Sequence, residues 1–373
     1  MKKVLFVATV VKTHINTFHL PFLKMFHEAG WEVHVAAKND FSKDELFYIP
    51  YCDIYYDVPF ERFPFSKTNV IAYRKLKEIM QNNQYDIIHC HTPVGGVLAR
   101  LAGRYCLHTR MIYTAHGFHF YNGAPLLNWL LYYPVERICA HYTDTLITIN
   151  KEDYQRALRF HLRNEGTVYH VPGIGVNLNK YKKNDGLRTA TRKQLGLDTD
   201  TKFILTVGEL SKRKNQGILI KALHRVTNEH FICYICGQGP LQSKLQALIY
   251  KLGLDDRIKL VGFRSDIAEL CLAADIFVFP SLQEGLPVAI MEAMASGVPI
   301  VCSNIRGNVD LVHDGKNGYV VNCDDIKGFA EKISYLLYHQ NIREQFIINN
   351  TKEIQKYSLQ SVSRIMKNIY GIS

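Results

Sequence analysis

Two glutamates eight positions apart form the most informative pattern of the chain. Glu284 and Glu292 lie in the segment 279–299, which has the pattern of a strand end, a glycine-containing turn and a helix. The pattern predicts Glu284 in the turn and Glu292 early in the helix. An ionised carboxylate accepts hydrogen bonds from neighbouring hydroxyl groups, and the free N–H groups of a helix N-terminus suit a phosphate. The segment therefore favours a ligand that carries both, such as a nucleotide-sugar.

A cluster of cations is a second candidate. Lys212, Arg213 and Lys214 follow the apolar run 203–207. Three consecutive cations are by themselves typical of an exposed turn. Directly after a strand, however, they could stabilise the negative charge that a diphosphate gains when it leaves, without a metal ion.

Glycines follow two further apolar runs. Gly237 and Gly239 come after the run 231–236, where they could form a simple turn or let the backbone approach a phosphate. Phe263 and Arg264 are candidates after the run 258–261, and the alternative for them is the end of a core strand.

Polar residues in the first half also follow predicted strands. His116 lies just after the run 111–114, where an imidazole could hydrogen-bond a sugar hydroxyl, although a lone histidine is more often structural. Lys12, His14 and Asn16 follow the first predicted strand and are candidate acceptor contacts. A capped loop ahead of a helix explains these three nearly as well.

These segments together resemble the motifs of family 4 glycosyltransferases, and the resemblance covers nearly the whole chain. The segment 279–299 resembles the family's E-x7-E motif, 207–215 its G-R-L-x-x-x-K-G loop and 113–118 its T-x-H-G segment. The resemblance implies an α/β protein of the GT-B fold, with two facing Rossmann-like domains and parallel sheets. Glu209 departs from the family pattern, because it stands where an arginine is usual; Arg213 or Lys212 is the candidate replacement.

The resemblance also implies roles for individual residues. Glu284 would contact the transferred sugar, Glu292 the ribose hydroxyls and Lys214 the diphosphate; the catalytic candidates are His116, Glu284 and Lys214. The donor-binding candidates are Gly208, Arg213, Lys214, Gly237, Gly239, Phe263, Arg264, Glu284, Gly285, Leu286 and Glu292.

Two series of short apolar runs predict two parallel sheets covered by helices. The first series is 4–8, 33–37, 87–90, 111–114 and 146–149, and the second is 203–207, 231–236, 258–261, 276–279, 300–302 and 319–321. A Pro- and Gly-containing stretch at 170–176 separates them. We therefore expect an acceptor-binding domain at 1–175 and a donor-binding domain at 176–373, with the last helix packing back on the first domain.

The composition limits the kinds of protein to which the chain could belong. The 373 residues are 47% hydrophobic and 21% charged, as in a globular protein, and the positive start at 1–3 is not followed by a signal-peptide pattern. Nine scattered cysteines favour a reducing cytoplasm. A net charge of +11 attracts polyanions, but the sequence has no nucleic-acid-binding motif, so we expect no nucleic-acid partner.

Two patterns resemble metal sites. Cys233 and Cys236 fall inside a predicted strand, where side chains three apart point to opposite faces. His89 and His91 share one face of a strand, but the sequence shows no second ligand pair with suitable spacing. We therefore expect no metal and no cofactor.

Aromatic and basic residues at 60–67 and 121–133, including Trp129, could contact a lipid surface or could belong to the core. With the family resemblance they imply a peripheral enzyme at the inner face of the cell membrane. The expected reaction is retaining transfer of a hexose or N-acetylhexosamine from a UDP-sugar to a polyprenyl-diphosphate-linked sugar, in bacterial capsule or exopolysaccharide synthesis. The alternatives are a UDP-sugar 2-epimerase of the same architecture and a non-enzymatic basic protein that binds lipid or nucleic acid.

Overall fold

A computed structural model describes residues 1–182, 184–198, 200–227 and 230–372. The chain forms two compact units: the first is Met1–Ile174 together with the chain from Val362 onward, and the second is Gly175–Ser361. The sequence-based boundary after residue 175 lies beside this division.

The first unit contains a seven-stranded parallel sheet, in the order β3-β2-β1-β4-β5-β6-β7. Its strands are β1 Lys3–Val10, β2 Glu32–Lys38, β3 Ile54–Asp57, β4 Ile87–His91, β5 Arg110–Ala115, β6 Thr145–Thr148 and β7 Thr167–His170. Its connecting helices are α1 Leu20–Glu28, α2 Thr68–Asn82, α3 Pro93–Ala102, α4 Leu126–Ala140 and α5 Lys151–Ala157. A nine-residue π-helix, Val11–His19, joins β1 to α1.

The second unit contains a six-stranded parallel sheet, in the order β10-β9-β8-β11-β12-β13. Its strands are β8 Lys202–Val207, β9 Phe231–Cys236, β10 Ile258–Gly262, β11 Ile276–Phe279, β12 Ile300–Ser303 and β13 Gly318–Val321. The helices after β7 are α6 Asp185–Gln194, α7 Gln216–Leu223, α8 Gln242–Lys251, α9 Ile267–Ala273, α10 Val288–Ala295, α11 Asn308–Leu311, α12 Ile326–Tyr338, α13 Gln340–Glu353 and α14 Leu359–Tyr370.

The sheets form because their strands are apolar on both faces and are covered by helices. Residues 4–8 of β1 are fully buried, as are the four residues of β11. The C-terminal part of α14 packs on the first unit, where Val362, Met366 and Tyr370 join the core around β1 and β2. The polar helix α6 is mostly exposed.

Every strand expected from an apolar run is present. Strands β3 and β7 were not expected, because each is short, partly exposed and contains polar side chains. Among the described residues, no helix combines the length and the apolar character that crossing a membrane requires.

Candidate functional site

Glu284 meets two cations at one edge of the second sheet. It lies in the loop between β11 and α10 and is only 9% exposed. Its Oε1 accepts hydrogen bonds from Nζ of Lys214 at 2.7 Å and from Nη1 of Arg213 at 3.0 Å. Both cations come from the 3-10 turn Lys212–Lys214, which follows β8. Neighbouring strands β8 and β11 therefore bring together residues 70 positions apart.

The side chain of Lys214 is held in one place by its surroundings. Its Nζ lies 4.5 Å from the ring centre of Phe279, and burial lowers the pKa of its ammonium group, opposed by Glu284. A Cβ on Gly208 would lie 3.2 Å from Cδ and Cε of Lys214. The glycine therefore leaves the room in which the lysine side chain extends toward Glu284.

Gly237 and Gly239 permit close packing between two loops. A Cβ on Gly237 would lie 2.0 Å from the carbonyl oxygen of Gly208, and one on Gly239 would lie 2.5 Å from the carbonyl oxygen of Leu210. These contacts account for both glycines by backbone packing alone. They also leave the loop after β9 without side chains at these two positions, beside the loop that carries Lys214.

Glu292 is the fifth residue of α10, a helix that starts after Pro287 with no side-chain cap among the described residues. Its Oε1 accepts a hydrogen bond from the hydroxyl group of Tyr181. Burial raises the pKa of the Glu292 carboxyl group, although the Tyr181 bond and the charge of Lys180 oppose that shift. The carboxylate is thus placed where water solvates it poorly, and an added hydroxyl donor would stabilise its charge.

The remaining candidates for donor binding differ in their exposure and in their contacts. Phe263 is 76% exposed, and Arg264 forms an ion pair with Asp266 in the same loop. Gly285 and Leu286 follow Glu284 in the chain, and Gly285 is partly buried while Leu286 is buried. Glu209, at the position of the family's arginine, is exposed. Its backbone oxygen accepts a bond from the side chain of Gln216, and the charge of its carboxylate is one of the influences that raise the pKa of Lys214 against the effect of burial.

Three residues of this region were missed by the sequence analysis. Buried Arg306 donates from Nε to the backbone oxygen of Glu284 at 3.2 Å. Asn215 donates to the backbone oxygen of Pro280 at 3.2 Å, and so links the cationic turn to the end of β11. Tyr181 reaches Glu292 from a turn 111 positions away, and no local pattern in the sequence marks such a contact.

His116 lies at the carboxyl end of β5 and belongs to a cluster of four histidines in the first unit. The other members are His14 and His19 from the π-helix and His91 from the end of β4. Strands β1, β4 and β5 are neighbours, and the chain order reverses between β1 and β4, which is where ligands bind in open parallel sheets.

The histidine rings are held unprotonated by their surroundings. Burial lowers the pKa of His116 to about 4. Burial also lowers the pKa values of His14, His19 and His91 well below the usual histidine range, and the neighbouring imidazoles add to the effect.

Lys12 and Asn16 have local partners. Lys12 forms an ion pair with Glu45, and Asn16 donates from Nδ2 to the backbone oxygen of Tyr48 at 2.9 Å. These bonds tie the π-helix to the segment that follows β2. His14 instead lines a cavity of about 260 Å³ together with Arg62, Thr92 and Tyr132.

The two patterns that resembled metal sites, Cys233 with Cys236 and His89 with His91, have different surroundings in the structure. Cys233 and Cys236 are buried and free within β9, and all nine cysteines are free thiols. The ring nitrogens of His89 bond to Tyr370 and Thr114, both at 2.8 Å, so His89 belongs to the core. The ring of His91 stacks on His19 at 3.8 Å and lies 4.0 Å from the ring of His89, and its Nδ1 is 3.4 Å from Nε2 of His116.

Parallel α/β units serve many functions, so neither sheet specifies a reaction by itself. Two such units in one chain, the second with an acidic pair and a basic turn beyond its strand ends, define the class of glycosyltransferases with the GT-B fold. The expected fold class is confirmed, since solved structures with this architecture match the chain over its full length.

Family models match most of the chain. Residues 188–353 match the model of glycosyl transferases group 1, and residues 3–150 match the glycosyl transferase 4-like model. The provisionally assigned glycosyltransferase EpsD of Bacillus subtilis (strain 168) is 39% identical over 375 residues, covering 99% of this chain and 96% of the relative. The chain belongs to this family of glycosyltransferases, as its motifs predicted.

Two further matches differ in what they convey. The UDP-Gal:α-D-GlcNAc-diphosphoundecaprenol α-1,3-galactosyltransferase of Escherichia coli is 31% identical, over 69% of this chain and 68% of the relative. A crystal structure of HepE from Anabaena in complex with UDP and glucose superposes with a TM-score of 0.79, covering 100% of both chains at 20% identity. At that identity the structural match shows the fold alone.

Proposed function

We propose that this glycosyltransferase moves a hexose or N-acetylhexosamine from a UDP-sugar to a polyprenyl-diphosphate-linked sugar, with retention of the anomeric configuration. The observation that carries the proposal is the convergence of Lys214 and Arg213 on Glu284 beyond the ends of β8 and β11.

The cationic turn suits the donor diphosphate. Breaking the anomeric bond leaves negative charge on that diphosphate, and Lys214 and Arg213 are held in position before the reaction begins. Preorganised cations lower such a barrier because they need no reorganisation as the charge develops. Lys214 is the more buried of the two, so its charge is screened less by water than that of Arg213.

The two glutamates and an exposed aromatic ring suit the rest of the donor. The carboxylate of Glu284 would accept hydrogen bonds from hydroxyl groups of the transferred sugar, and that of Glu292 from the ribose. Phe263, with its exposed ring, would lie against the uracil base. The donor is a substrate, and this half of the reaction requires no metal ion.

The first unit suits a phosphorylated acceptor. The cavity lined by His14 and Arg62 offers an imidazole and a guanidinium group, which is the side chain that best matches a phosphate. His116, beyond the end of β5, would hydrogen-bond the acceptor sugar. The E. coli relative, named for a UDP-galactose donor and a GlcNAc-diphosphoundecaprenol acceptor, supports both substrate classes for this chain.

In the proposed step the acceptor hydroxyl attacks the anomeric carbon on the face from which the UDP departs. The carbon–oxygen bond to the diphosphate breaks, and the departing phosphate oxygen takes the proton of the acceptor hydroxyl. The new glycosidic bond then has the configuration of the donor.

Helix α4 supports a peripheral membrane location at the inner face of the cell membrane. Its side chains Leu126, Leu127, Leu130 and Ile138 are 73, 62, 65 and 57% exposed, whereas Trp129 packs against Phe120. An exposed apolar helix face on a protein of charge +11 suits a lipid surface that carries negative charge. The aromatic side chains expected to contact lipid fall into two groups. Trp129 packs against the core, whereas Phe63 and Phe65 are exposed.

A transfer assay tests the proposed reaction. Purified protein is incubated with UDP-galactose, UDP-glucose, UDP-GlcNAc or UDP-GalNAc, with and without a polyprenyl-diphosphate-linked GlcNAc, and products are analysed by mass spectrometry. We expect one donor to give a lipid-linked disaccharide, and Glu284→Gln to reduce it strongly. Glu331→Gln, an exposed glutamate on α12, is the control that should leave the yield unchanged.

The same assay distinguishes the alternatives. Conversion of a UDP-sugar to its 2-epimer without an acceptor would contradict transfer and support the epimerase. Failure to consume any donor, combined with salt-sensitive binding to nucleic acid or anionic lipid, would support a non-enzymatic protein.

A further inference from the structure

The four clustered histidines of the first unit come from three separate segments. His14 and His19 belong to the π-helix, His91 ends β4 and His116 follows β5. One potential ligand atom from each ring lies within 4.8 Å of the others. Such convergence is not produced by a single stretch of sequence, and it lies at the switch point of the sheet.

The π-helix brings His14 and His19 together. Its hydrogen bonds join residues five apart, so His14 and His19 are one turn apart. An α-helix would turn the second side chain well away from the first. Short π-helical segments occur frequently at functional sites.

The distances within the cluster resemble those of a tetrahedral metal site. Zinc–nitrogen bonds of about 2.0–2.1 Å imply about 3.3 Å between ligand nitrogens. Nε2 of His14 lies 3.1 Å from Nε2 of His19, and Nε2 of His116 lies 3.4 Å from Nδ1 of His91. No two of the four ligand atoms lie more than 4.8 Å apart, so closing around an ion needs a movement of at most about 1.5 Å.

The hydrogen-bonding capacity of the buried rings is not used up. His19 and His91 are each 1% exposed, and Nδ1 of His19 and Nε2 of His91 have no hydrogen-bond partner among the described residues. Unpaired buried nitrogens carry a free-energy cost. Each ring can give one nitrogen to an ion, and the distances above are those of Nε2 of His19 and Nδ1 of His91, so the two unpaired nitrogens are not the proposed ligand atoms.

We propose that His14, His19, His91 and His116 bind one divalent transition-metal ion, with Zn²⁺ as the best fit to four imidazole ligands. The site has a structural role: it fastens the π-helix to the ends of β4 and β5. Each ring uses one nitrogen for the ion, so His116 retains its second nitrogen as a hydrogen-bond donor. The inference departs from the sequence-based expectation of no metal, and it does not depend on the proposed sugar transfer.

Metal binding by tag-free protein tests this proposal. The protein is stripped with a chelator, dialysed and titrated with Zn²⁺ by calorimetry, and Co²⁺ is added to a second sample to record its visible absorption. We expect one ion per chain, an intense absorption typical of tetrahedral Co²⁺, and a higher Tm with Zn²⁺.

Matched variants locate the binding. His14→Gln and His116→Gln alter the two less buried rings, and each should weaken Zn²⁺ binding at least a hundredfold. His108→Gln, an exposed histidine outside the cluster, should bind as the unaltered protein does. Circular dichroism before titration selects folded variants, and if one of the pair unfolds the other carries the test. Absence of saturable binding, or equal binding by the cluster variant and His108→Gln, would overturn the proposal.

Discussion

Nζ of Lys214 lies 2.7 Å from Oε1 of Glu284, and the same oxygen accepts a bond from Arg213. One carboxylate thus pairs with two cations, so these three side chains together carry a net positive charge, which would attract an incoming diphosphate. The exposures differ, since the side chain of Lys214 is 13% exposed and that of Arg213 is 44% exposed.

This difference predicts unequal effects of removing the two cations. Lys214→Ala should reduce kcat by about 10²–10³-fold, the range measured for loss of one preorganised donor to a developing charge. Arg213→Ala should reduce it much less, because its guanidinium group is more exposed to water and screened. Steady-state kinetics measure both, with exposed Lys221→Ala as the control. The assignment is wrong if Lys214→Ala retains the activity of that control.

The burial of Glu292 predicts a conflict between function and stability. Because burial raises the pKa of its carboxyl group, its contribution to stability is present below the unfolded pKa of about 4.3 and is lost as the pH rises through the higher folded pKa. Glu292→Gln should therefore stabilise the ligand-free protein at pH 7.5 by about 0.5–2 kcal/mol, while UDP binding weakens.

Denaturant unfolding at several pH values checks the sign of this effect. The gain should shrink as the pH falls, since the unaltered carboxyl group then becomes protonated. A variant that is less stable than the unaltered protein at pH 7.5, or that binds UDP equally well, would show that this carboxylate has another role.

Close backbone packing predicts a large cost at Gly237. In Gly237→Ala the new Cβ would lie 2.0 Å from the carbonyl oxygen of Gly208, at a residue with φ of +141°. Gly253 also has a positive φ, of +64°, but has nothing within 4 Å of its Cβ position. Gly253→Ala should cost about 1–2 kcal/mol, from backbone strain alone. Chemical denaturation should show at least twice that loss for Gly237→Ala, and equal losses would contradict the packing argument.

The exposed face of α4 predicts binding to lipid vesicles. Leu127→Ser combined with Leu130→Ser removes two side chains that are 62% and 65% exposed, so folding stability should change little. The fraction bound to vesicles that contain anionic lipid should fall several-fold in a flotation assay. Ile348→Ser on α13, which is 63% exposed, should bind as before. Equal binding by all three proteins would exclude α4 as the contact surface.

Features with a local signal in the sequence could be predicted. The buried strands were identifiable because parallel strands covered on both faces are continuously apolar, as in β1 and β11. The turn with Lys214 and the loop with Glu284 each follow such a strand. Their position at the same edge of the sheet could therefore be predicted. Strands β3 and β7 lack this apolar signal because they are short and partly exposed.

Features that depend on distant contacts could not be predicted. Tyr181 and Arg306 reach the two glutamates through the tertiary fold, and neither has a marked sequence context. The pairing of His14 with His19 depends on a π-helix, whereas the usual helical period would separate these side chains. The pairing of His91 with His89 could therefore be predicted, and their rings lie 4.0 Å apart, but the approach of His14, His19 and His116 could not.

A crystal structure with a bound, unreacted UDP-sugar would test the central claim most directly. We expect the diphosphate within about 3 Å of Nζ of Lys214, with the transferred sugar beside Glu284 and the ribose hydroxyls on Glu292. A donor bound elsewhere, with the Lys214–Glu284 and Tyr181–Glu292 contacts unchanged and no part of the ligand touching them, would contradict the account.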